Sequence, residues 1–311
     1  MTGRIIRCFA AIPIACAVLA ILAGVTARAQ QRLAGFDLVL VDLDGGKKVL
    51  GRLPPSVFAP RLSPDGKRVA FETRDRTGTD GARLWIADVS NLAGRQPLPN
   101  PVGPIDWAPM WTLDGERLVF IVSNERGDAV YWRRADGTGT PEHLLDARSG
   151  EGWMPGGQQM RFLTLKEEGG NRDYDIALFD TSSRTVTPLV GLAGSAQHSS
   201  AVSPDGRWLA YASNETGRYE LWLEPLPRTG VRYQITREGG GHPLWSPDGR
   251  SLYFDRGQQL FTLAVNLAAP ASSGDPVPLP IKGFAQGEYR RQFDLMPNGR
   301  EFIMMFPVVT Q

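Results

Sequence analysis

Apolar residues in this chain come in short runs, and turns of nearly constant spelling separate them. Residues 201–225, AVSPDGRWLAYASNETGRYELWLEP, show the unit in full: three predicted strands and two turns. In Ser203-Pro204-Asp205-Gly206 the proline presets φ at the first central position and the aspartate accepts from nearby backbone N–H groups. The glycine then takes the left-handed conformation that follows. Residues 207–213, RWLAYAS, are apolar on both faces, the pattern of a strand covered by two layers. A polar turn over 214–218 leads into 219–224, YELWLE, a second run rich in aromatics.

Five more turns share this punctuation: Ser63-Pro64-Asp65-Gly66, Thr112-Leu113-Asp114-Gly115, Met154-Pro155-Gly156-Gly157, Ser246-Pro247-Asp248-Gly249 and Met296-Pro297-Asn298-Gly299. Their last glycines fall at 66, 115, 157, 206, 249 and 299, a spacing of 42 to 50 residues. An apolar strand follows each turn, and a second strand follows that in the first five copies. Several short strands in a repeat of this length predict a propeller blade. One small sheet cannot bury both faces, so blades must stack around an axis. A β-solenoid coil returns after fewer residues.

An isolated hairpin, 36–44 and 48–53 around Gly45-Gly46, precedes the first turn. The last copy, 289–295 and 301–306, has almost nothing after it. The hairpin supplies the outer strands that the last copy lacks, closing the ring and removing two exposed edges. The prediction is an all-β, six-bladed β-propeller in which the N-terminal hairpin completes the C-terminal blade. Residues 91–104, 136–152, 167–173 and 268–280 read as loops between blades. The second turn has no proline and the third has Gly156 in place of aspartate, so both are expected to be less regular.

Copies such as LWSPDGRSLYF at 244–254, together with the 201–225 stretch, resemble TolB-type, WD40-like propeller repeats. The tail 241–306 also resembles the last two blades of propellers fused to some bacterial serine/threonine kinases. The resemblance covers nearly all of the chain beyond residue 30. What it implies is the fold, because such repeats serve binding proteins, peptidase gating domains and lyases alike. No α/β domain of the kind that TolB proteins carry precedes the repeats in this sequence. The expectation is therefore a TolB-like fold rather than membership of the Tol system.

The first 29 residues read as a signal peptide. Arg4 and Arg7 give a basic start, 10–25 is an apolar run, and Ala27-Arg28-Ala29 is a small-x-small cleavage site before Gln30. Both cysteines, Cys8 and Cys16, fall in this segment, so residues 30–311 carry no thiol and no disulfide. These residues form one propeller domain, expected to be exported to the periplasm or beyond as a monomer without stable membrane insertion. The 34 basic residues against 33 acidic ones, with no basic run, give no footprint for nucleic acid.

Motifs for catalysis are sparse. The sequence has no Gly-x-Ser-x-Gly elbow, no His-Glu-x-x-His, no Cys-x-x-Cys and no kinase signature. The acidic turns at 42–45 and 75–81 fall short of a calcium loop, and no cofactor is expected. Candidate binding residues come from the segment that enters the innermost strand of each blade, which lines the channel mouth. Counting four to six residues back from each turn gives Phe58, Asp106 with Trp107, Ser149, His198, His242, and Arg290 with Arg291. Two of the three histidines sit at what this count makes equivalent positions, with Glu151 the nearest third metal ligand. Trp85, Trp132, Trp208, Trp222 and Trp245 lie on strand patterns and read as inter-blade core.

The resulting expectation is an exported, non-catalytic binding or scaffold protein of the bacterial envelope that recognises a protein or polar ligand at this rim. Two alternatives stay open. One is a metal-dependent lyase or hydrolase with a histidine site on the channel face, by resemblance to lyases of uronic-acid oligosaccharides. The other is a sensor propeller that works with a separately encoded signalling protein.

Overall fold

The computed structural model describes residues 32–74, 82–99, 102–103, 106–125, 127–168, 171–287 and 290–310. The predicted signal peptide, both cysteines and the acidic turn at 75–81 lie outside the described residues. The chain opens with β1 (Arg32–Asp42) and β2 (Lys47–Leu53). Blade 1 is β3 (Val57–Leu62), β4 (Arg68–Arg74), β5 (Ala82–Asp88) and β6 (Asn91–Pro97). Blade 2 is β7 (Asp106–Trp111), β8 (Arg117–Asn124), β9 (Gly127–Arg134) and β10 (Glu142–Leu145). Blade 3 is β11 (Ser149–Trp153), β12 (Gln159–Glu168), β13 (Asn171–Asp180) and β14 (Val186–Val190). Blade 4 is β15 (Gln197–Val202), β16 (Trp208–Ser213), β17 (Glu220–Pro225) and β18 (Tyr233–Gln234). Blade 5 is β19 (Gly241–Trp245), β20 (Ser251–Arg256), β21 (Gln259–Ala264) and β22 (Val277–Lys282). The chain ends with β23 (Phe293–Leu295) and β24 (Glu301–Thr310).

Each blade is a four-stranded antiparallel sheet in chain order, except the sixth, whose order is β2-β1-β24-β23. There β1 pairs with β24 from Arg32 opposite Thr310 to Asp42 opposite Glu301, so the two ends of the chain share one sheet. The ring closes as the sequence predicts, and the exposed edges of both end segments are consumed.

Six apolar clusters hold the ring together, and each joins neighbouring blades. Ala70 and Leu84 of blade 1 pack with Trp111 and Phe120 of blade 2, and Ala210 and Leu221 of blade 4 with Trp245 and Leu252 of blade 5. Five tryptophans read from sequence as core, Trp85, Trp132, Trp208, Trp222 and Trp245, all pack against these clusters. Three indoles, Trp245 and two more, stitch the innermost strands. Trp111 donates to Arg61 O at 3.0 Å, Trp153 to Trp111 O at 2.9 Å and Trp245 to Ala201 O at 3.2 Å, each reaching the preceding blade.

The repeated turns join the two innermost strands of each blade. In the first, Gly66 N–H donates to Ser63 O at 2.8 Å, the Ser63 hydroxyl to Asp65 Oδ1 at 2.6 Å, and Lys67 N–H to the same oxygen at 3.1 Å. The turn glycines also face the neighbouring turn. A Cβ on Gly66 would meet Pro297 Cδ at 2.8 Å, and one on Gly299 would meet Pro247 Cδ at 2.8 Å. The same contact runs from Pro64 to Gly115, Pro155 to Gly206 and Pro204 to Gly249, with Leu113 standing over Gly157. Six turns thus form a continuous ring of proline (once leucine) over glycine.

Two sequence expectations need correction. The second turn is as regular as the first, because Thr112 bonds Asp114 at 2.5 Å and Gly115 N–H donates to Thr112 O at 2.9 Å. The Ser/Thr–Asp network sets this turn, and proline is not required for it. The third turn keeps the Gly157 N–H to Met154 O bond at 3.1 Å but has no such side-chain network, as expected from Gly156. Secondly, three segments read as inter-blade loops contain all or part of the outermost strands β6, β10 and β22, and the described residues of the fourth, 167–168 and 171–173, belong to the paired strands β12 and β13 within blade 3. Outer strands border solvent, so β6 and β22 carry few buried residues and no alternation that marks them as strands.

Candidate functional site

The innermost strands β3, β7, β11, β15 and β19 share one irregularity. Each pairs in register at both ends but shifts in the middle, a β-bulge three to four residues before the turn. The bulge puts non-glycine residues into the left-handed region: Ala59 at φ 53°, Ala108 at 56°, Ser199 at 56° and His242 at 50°. Such a conformation costs about 1–2 kcal/mol for an L-residue. At three of these bulges an acceptor from the preceding blade captures the exposed N–H. Gln292 Oε1 takes Ala59 N–H at 2.8 Å, Glu72 Oε2 takes Ala108 N–H at 2.5 Å, and Glu151 Oε1 takes Ser199 N–H at 3.0 Å. The other Glu151 oxygen accepts from Ser200 N–H. A hydrogen bond to a carboxylate contributes about 1.5–3 kcal/mol and one to a neutral amide such as Gln292 about 0.5–1.5, comparable with the backbone strain.

The bulged walls enclose a cavity of about 350 Å³ at the axis, lined from all six blades. Its cationic side chains are Arg61, Arg161, Arg290 and Arg291, against the carboxylates Glu151 and Asp294. Blade 3 opens the wall because Gly150 and Gly152 flank Glu151. Gly152 lies opposite Arg161 of the next strand, and a Cβ there would meet Arg161 Nη2 at 2.2 Å. The missing side chain is what lets a second-strand arginine reach the channel. Desolvation pulls the Arg61 guanidinium down to about 9, reinforced by the charge of Arg291, and desolvation pulls Arg161 down to about 10. Both remain cations at neutral pH.

Of the residues expected at the rim, one group converges. The Arg290 guanidinium lies 3.9 Å from the Trp107 ring centre and 3.5 Å from Glu72. Arg74, bonded to Glu72 at 2.8 Å, stands 5.3 Å from the Phe58 ring and 5.7 Å from Trp107. Trp107 is buried and its indole donates to Ser123 Oγ at 2.8 Å. Asp106 is placed by its backbone opposite Val122; its side chain lies outside the described residues. Ser149 and Arg291 line the cavity, with Arg291 held to Asp294 at 3.0 Å.

The histidines are not equivalent. His198 stands five residues before its turn and matches Gly241, whereas His242 stands four before and matches Ser199; the bulge separates the two positions. Their rings still approach, with centroids 6.1 Å apart, but both are buried rather than set on a solvated rim. His198 packs edge-on to Tyr219 at 4.4 Å, its Nδ1 bonds Ser199 Oγ at 2.7 Å, and it does not line the cavity. Burial, aided by the neighbouring His242, drives its pKa down to about 3. His242 reaches the cavity with its Nδ1 bonded to Asp255 Oδ1 at 2.9 Å. Glu151, the proposed third metal ligand, has both oxygens on backbone N–H groups. Among the described residues, no group of three or more His, Cys, Asp or Glu is placed to hold a metal ion.

The count back from the turns missed Arg61, Glu72, Arg161, Gln292 and Asp294. Arg61 and Asp294 both sit two residues before their turns, a position that also supplies Met110 and Gly152 to the cavity. Sampling that position in every repeat would have found them.

No protein-family model matches the chain. It is 29% identical over 163 residues to the uncharacterized peptidase YuxL of Bacillus subtilis, a match of half of this chain and 22% of that protein. This chain therefore aligns with about a fifth of that relative's length. Among solved structures, a candidate TolB from Agrobacterium tumefaciens superimposes with a TM-score of 0.68 at 19% identity, covering 88% of this chain and 98% of that one. TolB from Acinetobacter baumannii gives a TM-score of 0.57 at 18% identity, covering 80% of this chain and 65% of that one. The chain has the six-bladed β-propeller fold of the TolB structures.

Proposed function

We propose that the chain is a non-catalytic binding propeller of the bacterial envelope, which recognises a protein segment or polar ligand in the mouth of its central channel. The observation that carries this reading is the axial cavity, to which all six blades contribute polar or aromatic side chains on a rigid wall. Its size of about 350 Å³ suits one side chain or a small polar group, not a folded surface. Export is supported by the basic start, apolar run and Ala27-Arg28-Ala29 site of the first 29 residues. Among the described residues no helix is long and apolar enough to cross a membrane. The non-catalytic reading is supported by the employment of the titratable groups in and behind the wall in structure, with Glu151 of the lining and Glu72 behind it on bulge N–H groups, and His198, also outside the lining, buried and neutral.

Site-specific photocrosslinking in cells tests the proposal. A photoreactive residue at Met110, in the cavity wall, is expected to trap a defined adduct that the same residue at Val186, exposed on an outer strand, does not. Equal trapping at both positions, or none at Met110, overturns it. Fractionation with mass measurement of the product tests export, the expected outcome being a chain that begins at Gln30.

A further inference from the structure

We propose that the axial cavity is an oxyanion site, taking a carboxylate or phosphate group of the ligand between Arg61, Arg161 and Arg291. This deepens the proposed function and rests on its reading that the channel is the binding face.

The lining holds four guanidinium groups and two carboxylates. Both carboxylates are already engaged. Glu151 receives Ser199 and Ser200 N–H groups, and Asp294 receives Leu62 N–H at 3.0 Å, Leu295 N–H at 3.1 Å and Arg291 Nη2 at 3.0 Å. Glu72, just behind the wall, is shared by Ala108 N–H, Arg74 and Arg290.

Two cations are left over. Arg61 donates only to main-chain carbonyls, Pro60 O at 2.8 Å and Arg291 O at 3.0 Å. Arg161, only 5% exposed, donates to Ser200 Oγ at 2.8 Å and Trp153 O at 3.4 Å, and its Nε–H has no partner. Among the described residues neither forms an ion pair with a carboxylate. The Nε of Arg291 and the Nε2 of His242, on two more cavity residues, are likewise buried without a partner.

Asp294 and Glu72 act on Arg61, and Glu151 on Arg161, only through space; burying a guanidinium with no carboxylate bonded to it is unfavourable, and structural needs here would be met as well by apolar residues of similar length. Burial is the main cause that lowers the Arg61 pKa, and the charges of Arg291 and Arg290 add to it while Asp294 and Glu72 oppose them. One oxyanion placed among them relieves that repulsion and matches the planar donor fork of arginine. The excess of two positive charges suits a single phosphate or a pair of carboxylates.

Isothermal titration of the mature chain at low ionic strength, with inorganic phosphate and with glutarate as separate probes, tests the proposal. Saturable binding of at least one probe is expected, weakened about tenfold or more in Arg61→Gln and partly restored in Arg61→Lys. Arg161→Met is expected to weaken it as well without loss of thermal stability; if that variant does not fold, the Arg61 pair carries the test. Glutarate binding alone assigns a carboxylate ligand and phosphate binding alone a phosphate ligand. Absence of saturable heat with both probes, or affinity unchanged in Arg61→Gln, overturns the oxyanion site. Crosslinking at Met110 that persists in that case leaves the binding-propeller reading standing.

Discussion

Replacing Glu72 with alanine tests the idea that bulge N–H groups are held by acceptors from the neighbouring blade. Glu72 is fully buried on β4 of blade 1. Its Oε2 takes Ala108 N–H of blade 2, where the backbone is left-handed at φ 56°, and its Oε1 meets Arg74 at 2.8 Å and Arg290 at 3.5 Å. The substitution leaves a buried donor unpaired, which costs about 1–3 kcal/mol. It also removes the counter-charge of Arg290, which is 22% exposed, and of Arg74, which is 45% exposed. Breaking a fully buried pair costs about 3–5 kcal/mol, and the partial exposure of both arginines discounts that term to roughly half. The two terms together predict a loss of about 3–5 kcal/mol, or roughly 6–12 °C in Tm for a domain of this size.

Urea and thermal unfolding followed by circular dichroism read this loss. Glu72→Gln keeps a carbonyl for Ala108 N–H and loses only the charge, so it should cost about half as much. Glu238→Ala is the reference: that carboxylate is 80% exposed and pairs with Arg256 at 2.8 Å, a contact contributing under about 1 kcal/mol. If Glu72→Ala costs no more than Glu238→Ala, the coupling of blades through bulge acceptors is refuted.

Further outcomes follow from the ring, the buried histidine and the closure. Gly299→Ala should lose about 2–4 kcal/mol, since φ is +68° and the new Cβ meets Pro247 at 2.8 Å, whereas Gly194→Ala, also at φ +68° but with open space, should lose only about 1. Equal losses in chemical denaturation would dismiss the ring contact. His198 titrates near 6.5 when unfolded and near 3 when folded, so the unfolded chain binds the extra proton and stability falls as pH drops through this window. Between pH 6 and 4.5 the slope should reach on the order of 1 kcal/mol per pH unit, and His198→Asn should flatten it; an unchanged profile would show that another group governs the acid limb. Removing residues 32–53 strips β24 of its partner along its length and should abolish cooperative thermal unfolding; a retained sharp transition would mean that the ring does not need its closure.

What the sequence made legible was local or topological. Ser203-Pro204-Asp205-Gly206 specifies its own turn, because the hydroxyl, carboxylate and left-handed glycine act within four residues. Six such turns and one spare hairpin were enough to place the closure. Features that depend on the neighbouring blade left no local trace. Nothing near Gly66 announces Pro297, and nothing near Ala59 announces Gln292. The bulges were equally silent, since alanine, serine and histidine occupy left-handed positions without a glycine to mark them. His198 and His242 were paired as equivalents because a count of four to six residues back spans the bulge, and Arg61, two residues before its turn, falls outside that count. The outer strands escaped notice for a different reason: with solvent beside them, they need no apolar pattern.

The bulges also separate the two kinds of charge around the axis. A strand that shifts register exposes main-chain N–H groups toward the neighbouring blade, and a buried N–H requires an acceptor. Acceptors are therefore demanded by the architecture, and Glu72, Glu151 and Gln292 satisfy that demand with contacts of 2.5–3.0 Å. No comparable demand exists for cations. The carbonyls that Arg61 and Arg161 reach are acceptors whose second lone pair could stay unfilled at little cost, as is common for buried C=O groups. An acidic residue on this wall thus has a structural reason to be present, whereas an unpaired arginine has none. Acid residues in and behind the channel wall should accordingly be felt in stability and arginines in binding. Glu72→Ala and Arg61→Gln, measured side by side in unfolding and in titration, should show opposite profiles. A large loss of stability in Arg61→Gln with unaltered anion affinity would place that arginine among the structural groups instead.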